Sequence, residues 1–420
     1  MIQTLRGTKD ILPNDIELWQ HIYKTSYTIL NLSNYAEIRT PIIENTELFE
    51  RSIGRETDIV NKEMYSFKDQ GQRNITLRPE GTASIARAFI TNHLKQIQNV
   101  HRLWYLGPMF RYERPQTGRQ RQFHQLGIEC VGIHEPIADA EVIRLATEIL
   151  KKLSCTNYIL EINCIGNLQE RNTYEKKLVN YLIPYINDLD PDSQKRLFKN
   201  PLRILDSKNT KTQEILYAAP KLQSCLEDDS LNHFEELCNH LHTLNIQYKV
   251  QNNLVRGLDY YNYTAFEIKT NTNVQQNTLC GGGRYDTLIQ QLGGPNTPSV
   301  GWAIGIERLI LTIQNIIKIK NHKPIYVAIQ GSIAKQYIWQ IIPILENNQI
   351  PFEIDFTNRN LNKQIKKAHT KKAKICCILG EEEAQQQSVT IKWLNTGLQK
   401  HVFLHQLHNY LQYIKNYLKT

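Results

Sequence analysis

Apolar residues recur at helical spacing between Asp15 and Leu32 (Ile16, Trp19, Ile22, Tyr23, Tyr27, Ile29, Leu30). This predicts an amphipathic helix with Asn14 or Asp15 as its N-cap. Residues 35–44 read as a strand. Pro41 within them assigns that strand to an edge or an interface, because proline cannot donate to a ladder. Strand patterns return at 74–77, 102–112, 122–131, 158–164, 265–269 and 299–304, and helical patterns at 82–90, 138–153 and 306–317. Alternating strands joined by long hairpins, with a few helices, predict an antiparallel sheet under helical cover.

Two stretches break this pattern. Residues 167–244 are mostly helical, richly charged and punctuated by Pro184, Pro191, Pro201 and Pro220, so they read as an insertion between strand-rich regions. From Pro324, short apolar strands at 325–329, 352–356, 374–379 and 389–393, the first three separated by helical stretches, predict a separate α/β domain with a mainly parallel sheet. The boundary is expected near Lys318–Lys323. The expected segments are 1–166, 167–244, 245–322 and 323–420.

Composition narrows the class. A chain of 420 residues with 41% hydrophobic and 22% charged positions builds sizeable cores, which excludes wholesale disorder. No apolar run approaches a membrane span of about 18 residues. The polar start, with Asp10 and Asp15, predicts no targeting peptide. The net charge of +9 is concentrated in residues 323–420, where 13 Lys and Arg face 6 Asp and Glu. Its densest run spans Lys366 to Lys374. Such a run is either a solvated helix face or a nucleic-acid contact. Eight cysteines form no Cys-x-x-Cys pair and no His spacing completes a zinc site, so buried free thiols in a reducing compartment are expected and no metal is assigned.

Four segments carry chemistry. Residues 110–125 form two strand-like stretches around a turn at 115–118 and hold Arg111, Arg114, Arg119 and Arg121. A guanidinium is permanently charged and forks two donors onto phosphate or carboxylate, so this hairpin suggests polyphosphate binding. Glu113 and Glu129 beside it suggest a polar pocket rather than a nucleic-acid groove. Residues 254–263 pack Arg256, Asp259, Tyr260, Tyr261 and Tyr263 beside Gly257. The triple glycine at 281–283 either lets backbone approach a ligand or makes a loose turn, and no Lys-Ser/Thr follows to make a P-loop. Residues 300–308 run from a strand into a helix with Arg308 in its first turn.

In this order and spacing the segments resemble the signature motifs of class II aminoacyl-tRNA synthetases and, among them, the histidyl-tRNA synthetase family. Residues 6–13 match that family's start, 38–44 resemble motif 1, 110–125 motif 2 and 301–308 motif 3. Residues 254–261 and 281–286 resemble its two histidine-specific signatures. The resemblance implies an α+β fold: an antiparallel sheet flanked by helices, a helical insertion, and a C-terminal α/β anticodon-binding domain. It also implies a homodimer built through motif 1. The lysine run would then touch the anticodon stem with salt-sensitive affinity, while other residues read unstacked bases.

The implied activity is histidine–tRNA ligation. L-Histidine is activated by ATP to histidyl-adenylate and then passed to the 3′ end of tRNA(His). By resemblance, Arg111 bridges the α-phosphate and the histidine carboxylate. Arg256 stands on the other side of the α-phosphate, where related enzymes use a metal ion. From the residues alone, Arg256 could instead pair with Asp259 at the surface. Glu113 would accept from the adenine amino group, Phe123 and Arg308 would sandwich the ring, and Arg119 and Arg121 would hold the β- and γ-phosphates. Mg²⁺ is expected on the ATP phosphates with no protein ligand assigned. Glu80, Thr82 and Gln125 would receive the α-ammonium. Glu129 and Tyr261 would take the two imidazole nitrogens, with Tyr260 and Tyr285 as walls. Such a pocket leaves buried polar groups unpaired with a wrong ligand, so no editing domain is needed. Arg114 and Gln116 are candidates for the extra 5′ nucleotide of the tRNA. The expected compartment is a bacterial-type cytoplasm or a plastid stroma. Two rival readings are a non-catalytic, histidine-sensing regulatory paralogue of ATP phosphoribosyltransferase, and a generic RNA-binding protein.

Overall fold

Pro13 opens the first helix, Pro13–Leu32, and no side chain caps it. The expected caps, Asn14 and Asp15, therefore lie inside its first turn. Proline at that position lacks only an N–H that the helix would orphan anyway, and Asp15 sits at the positive end of the dipole. The computed structural model describes residues 2–54, 57–270, 277–317, 323–357 and 359–419.

Eleven strands follow among the described residues of 36–305: β1 (Ala36–Glu37), β2 (Ile43–Asn45), β3 (Tyr65–Lys68), β4 (Asn74–Leu77), β5 (His101–Phe110), β6 (Gln122–Val131), β7 (Tyr158–Gly166), β8 (Lys249–Val250), β9 (Asn262–Thr270), β10 (Thr278–Arg284) and β11 (Ser299–Gly305). Eight of them form one sheet in the order β1-β5-β6-β11-β10-β9-β7-β8. Its inner pairings are antiparallel, and only the outermost pairs, β1 with β5 and β7 with β8, are parallel. The antiparallel sheet expected from the pattern is present, with the α+β fold that the resemblance implies. The single strand expected at 35–44 is instead two: β1 edges the large sheet, while β2 joins a three-stranded sheet, β2-β4-β3. Pro41 lies at the break between them, where no ladder donor is required.

Period-two alternation divides the large sheet into two chemically different faces. Leu126, Ile128 and Cys130 of β6, Phe266 and Ile268 of β9, and Val300, Trp302 and Ile304 of β11 enter one core. The helix Pro136–Lys152 covers that core, and the Trp302 indole donates to Val142 O at 2.7 Å. The alternate residues of the same strands, among them Gln125, Glu129, Glu267 and Ala303, face the other way. The candidate functional site lies on that second face.

Between β7 and β8 the chain runs through helices and short turns from Leu168 to Thr243. Leu178, Leu182, Leu197 and Ile204 of this segment share a core with Tyr260, Tyr261 and Tyr285. The insertion therefore packs behind the tyrosines of the candidate pocket.

Residues Met1–Lys318 and Ile319–Thr420 form two compact units. The boundary expected near Lys318–Lys323 lies, apart from Lys323, outside the described residues. The second unit holds β12 (Ile325–Ile329), β13 (Phe352–Ile354), β14 (Ile375–Leu379), β15 (Ser388–Trp393) and β16 (Gln399–Phe403), in the order β13-β12-β14-β15-β16. The sheet is not mainly parallel as expected. β13, β12 and β14 are parallel, but β15 and β16 are antiparallel. The links before β15 and β16 are too short for the dozen or more residues a parallel crossover needs. The lysine run falls on the helix Leu361–Thr370 and the turn after it. Lys367 pairs with Asp355 at 3.5 Å and Lys371 with Glu353, whereas Lys363, Lys366 and Lys372 are exposed.

Candidate active site

The β5–β6 hairpin positions the first set of groups. Its ladder ends at Phe110 opposite Gln122, after which Arg111 N donates to Arg121 O at 2.9 Å. Arg111 Nε donates to Pro79 O at 2.9 Å, and its guanidinium lies 5.3 Å from the Phe123 ring centroid. Beyond the ladder, Arg119 forms an ion pair with Glu113. Arg121 does not line the cavity that these residues enclose. Its guanidinium stacks 3.9 Å from the Tyr112 ring centroid, and its Nε donates to Glu113 O at 3.3 Å. Arg114 and Gln116 sit exposed towards the hairpin tip.

Opposite the hairpin, the loop after β8 carries Arg256. Its expected alternative partner, Asp259, faces elsewhere and accepts from Asn200 Nδ2 at 3.1 Å. Arg256 instead pairs closely with Glu267 of β9 and lies 5.7 Å from the Tyr261 ring centroid. Burial opposes the Arg256 charge, but Glu267, together with Tyr261, Cys280 and Tyr260, outweighs it and raises the pKa. Arg256 Nε is buried with no partner among the described residues.

The triple glycine is not a loose turn. It is the middle of β10, with Gly281 opposite Glu267. A Cβ on Gly281 would fall 2.1 Å from Arg256 Nη2, so the bare backbone makes the space that the guanidinium fills. A Cβ on Gly282 would meet the Gly301 carbonyl oxygen at 2.3 Å, so there the constraint is strand against strand.

The third set surrounds a buried acid. Glu80 accepts from Thr82 N at 2.6 Å and Ala83 N at 2.7 Å at the start of the helix Thr82–Thr91. Burial raises its pKa despite those bonds. The Thr82 hydroxyl donates to Glu129 Oε1 at 2.7 Å, and the Tyr285 hydroxyl donates to Glu129 Oε2. Glu129 is fully buried on β6. Burial, aided by the nearby Glu80 charge, outweighs both bonds and pushes its carboxyl up to about 8. It is therefore mostly protonated at neutral pH. Tyr260 packs on Tyr261 at 4.7 Å and on Tyr285 at 5.7 Å between ring centroids. Gln125 Oε1 is buried with no partner among the described residues.

These sets enclose a polar cavity of about 280 Å³. Glu80, Thr82, Gln125, Tyr260 and Tyr261 line it together with Arg111, Glu113, Arg119, Phe123, Arg256 and Arg308. Glu129 and Tyr285 lie beneath its wall rather than in it, and Arg121 is the sequence-predicted residue turned outside. Arg308 donates to Thr278 O, and its pKa is lowered by burial and by the neighbouring Arg119 charge. The cavity thus sets guanidinium groups against carboxyl and amide acceptors, which suits a ligand carrying both phosphate and ammonium.

Two acids here were not anticipated. Glu267 holds Arg256 and also meets Lys269 at 3.3 Å. The one signal in the sequence is a carboxylate in the middle of a strand otherwise rich in Ala, Phe, Ile and Thr. Glu307 accepts from His124 N at 2.9 Å and lies 2.9 Å from His124 Nδ1, which fastens the hairpin to the helix Ile306–Ile313. It was visible as the neighbour of Arg308 but had no assigned partner.

Comparison with known proteins bears on this arrangement. Residues 7–309 match the family model described as histidyl-tRNA synthetase, and residues 321–414 match that of an anticodon binding domain. A chloroplastic histidine–tRNA ligase from Gracilaria tenuistipitata var. liui is 60% identical over 414 residues, covering 98% of each chain. A histidine–tRNA ligase from Rippkaea orientalis is 50% identical, covering 95% of this chain and 93% of its own. Among solved structures, apo histidyl-tRNA synthetase from S. aureus superposes with a TM-score of 0.82 at 35% identity, covering 98% of this chain and all of that one. Matches of this extent span the motif hairpin, the glycine strand and the lysine-rich unit alike, and the chain belongs to the histidyl-tRNA synthetase family.

Proposed function

We propose that the chain joins histidine to tRNA(His) in two steps at the cavity described above. The carboxylate of L-histidine attacks the α-phosphate of ATP, forming histidyl-adenylate and releasing pyrophosphate. A ribose hydroxyl at the tRNA 3′ end then takes the histidyl group, and AMP leaves. The observation that carries this reading is that Arg111 and Arg256, from distant parts of the chain, line one cavity beside Glu80 and Gln125.

Negative charge accumulates at a phosphate attacked by another anion, so fixed cations aimed there lower the barrier. We assign that role to Arg111 and Arg256; the Arg256 Nε, without a partner among the described residues, suits an incoming phosphate oxygen. Gln125 Oε1, buried and unpartnered, suits the α-ammonium, together with Glu80 and Thr82. Glu129, backed by Tyr285, and Tyr261 would meet the two imidazole nitrogens, with Tyr260 as a wall. Phe123 and Arg308 would hold the adenine and Glu113 its amino group. Arg119 would hold the outer phosphates, and Arg121 would join it only after leaving Tyr112. Mg²⁺ enters as part of the MgATP substrate, and we assign it no protein ligand.

We further propose a homodimer through the motif 1 region, where Ile42 and Ile43 are exposed. Exposed Lys363, Lys366 and Lys372 would contact the tRNA. A plastid stroma or a bacterial-type cytoplasm fits relatives such as the chloroplastic ligase of Gracilaria tenuistipitata var. liui and the ligase of Rippkaea orientalis, and no helix among the described residues is long and apolar enough to cross a membrane. The regulatory-paralogue reading is not favoured, given the match to an anticodon binding domain.

The test is ATP–pyrophosphate exchange with each amino acid in turn. Histidine alone should support it. Arg256→Ala should lower the rate at least ~100-fold while the circular dichroism spectrum and oligomeric state stay unchanged. Exchange with another amino acid, or an undiminished rate in the variant, would overturn the assignment.

A further inference from the structure

The loop from Leu254 to Tyr261 carries Arg256, Tyr260 and Tyr261 yet belongs to no strand or helix. Its carbonyls have no ladder to join, and a buried carbonyl without a donor is costly. Asn163 of β7 donates to Leu254 O at 3.0 Å, and the helical insertion supplies the donors to three more. Arg171 Nη1 donates to Asp259 O at 3.0 Å and to Tyr261 O at 2.6 Å. Arg203 Nη2 donates to Gly257 O at 3.0 Å. The bonded carbonyls thus lie on both sides of Tyr260 and directly after Arg256.

Arg203 is itself held. Arg203 Nη1 lies 3.2 Å and Arg196 Nη2 3.1 Å from the same Asp58 carboxylate oxygen. Asn200 donates to the Asp259 side chain at 3.1 Å. A Cβ on Gly257 would fall 2.6 Å from Arg203 Nη2, so the absence of a side chain there lets the guanidinium reach the backbone. Neither Arg171 nor Arg203 lines the cavity itself.

The geometry points to Arg171 and Arg203 as positioning residues: the insertion sets the backbone from which Arg256 and Tyr261 reach the substrates. This rests on the roles proposed above for those two side chains. An insertion that only packed against the core would need no donors aimed at three carbonyls of one irregular loop. Methionine at either position keeps much of the side-chain bulk and removes the donors, while lysine at 171 keeps one cationic donor.

The experiment compares Arg171→Met, Arg203→Met and Arg171→Lys in the full chain. Amide hydrogen exchange on the ligand-free protein comes first and does not depend on the reaction. Segment 257–261 should exchange about tenfold faster or more in each Met variant, with β5 and β6 unchanged. Unchanged protection of that segment in both variants overturns the proposal. Pyrophosphate exchange comes second. In the Met variants kcat should fall and the histidine KM should rise by about tenfold or more, the ATP KM should move less, and Arg171→Lys should recover part of the loss. A loss matching only a reduced titre of active sites, with both KM values unchanged, overturns it as well. Absence of histidine-dependent exchange in the unaltered chain would defeat the proposed function instead, and the hydrogen-exchange arm would still decide the inference.

Discussion

Replacing Gly281 by alanine should silence the chemistry without harming the fold. Gly281 lies within β10 in a conformation open to any residue, since its φ is not positive. An alanine in mid-strand is favoured over glycine by about 0.5–1 kcal/mol, so the backbone offers no resistance. The added Cβ would fall 2.1 Å from Arg256 Nη2 and 2.6 Å from its Cζ. Ordinary contact begins near 3.5 Å, so the guanidinium must retreat by about 1 Å or more. It is the free end of a flexible side chain, and it yields more readily than a strand. A misplacement of about 1 Å at a reacting centre can cost ~100-fold, or about 2.7 kcal/mol of transition-state stabilisation. Histidine-dependent pyrophosphate exchange should therefore fall at least ~100-fold in Gly281→Ala, while its urea midpoint stays level or rises. Gly282→Ala is the contrast, because its Cβ would strike the Gly301 carbonyl and should lower the midpoint itself. A Gly281→Ala enzyme within about threefold of the unaltered rate would refute the reasoning, since an Arg256 so displaced cannot be gripping the reacting phosphate.

Glu129 gives a pH prediction. Its carboxyl moves from the usual 4.5 to about 8 on burial, so between those values the folded chain keeps a proton that the unfolded chain has lost. Stability should fall as pH rises through that window by up to about 1.4 kcal/mol per pH unit, and then level off. Urea midpoints of Glu129→Gln against the unaltered chain at pH 5, 7 and 9 check this, and parallel curves would contradict it. Asp139 has the opposite sign. Burial opposes its charge, but Arg284 and His233 outweigh burial and hold the carboxyl down at about 2, so its stabilisation persists at neutral pH and fades only in acid as pH falls through that value. Asp139→Ala leaves the fully buried Arg284 without that carboxylate and should cost about 3–5 kcal/mol in urea unfolding, and a loss under about 1 kcal/mol would disprove the pairing's weight.

Much of the fold was legible because side-chain alternation survived intact. The strand expected at 122–131 is observed with those bounds, and its Leu126, Ile128 and Cys130 enter the helix-covered core while Phe123 and Gln125 line the cavity. β10 was invisible for the same reason inverted: three glycines carry no alternation at all. β16 has only Val402 buried, and β8 is two residues long, so neither imposes a period. The arginines and acids of the motif segments could be named from the sequence, but their partners could not. Arg256 pairs with a glutamate eleven residues away rather than with nearby Asp259, because the sheet register decides which side chains meet. Arg121 was expected beside Arg119, yet hairpin geometry beyond the ladder turns it onto Tyr112. The protonation of Glu129 follows from burial, which sequence spacing does not report.

The strand order carries a consequence for synthesis. β6 pairs on one side with β5, its neighbour in the chain, but on the other with β11. While the intervening segments are translated, a long strand with one apolar face waits with an open edge. At ~5–20 residues per second that interval lasts roughly ten to thirty seconds. A nascent chain in that state offers a template for unwanted strand addition. Slow passage through the insertion codons, or a stall before Ser299, should therefore favour aggregation over folding, and a chaperone that shields this edge would act before any substrate is met.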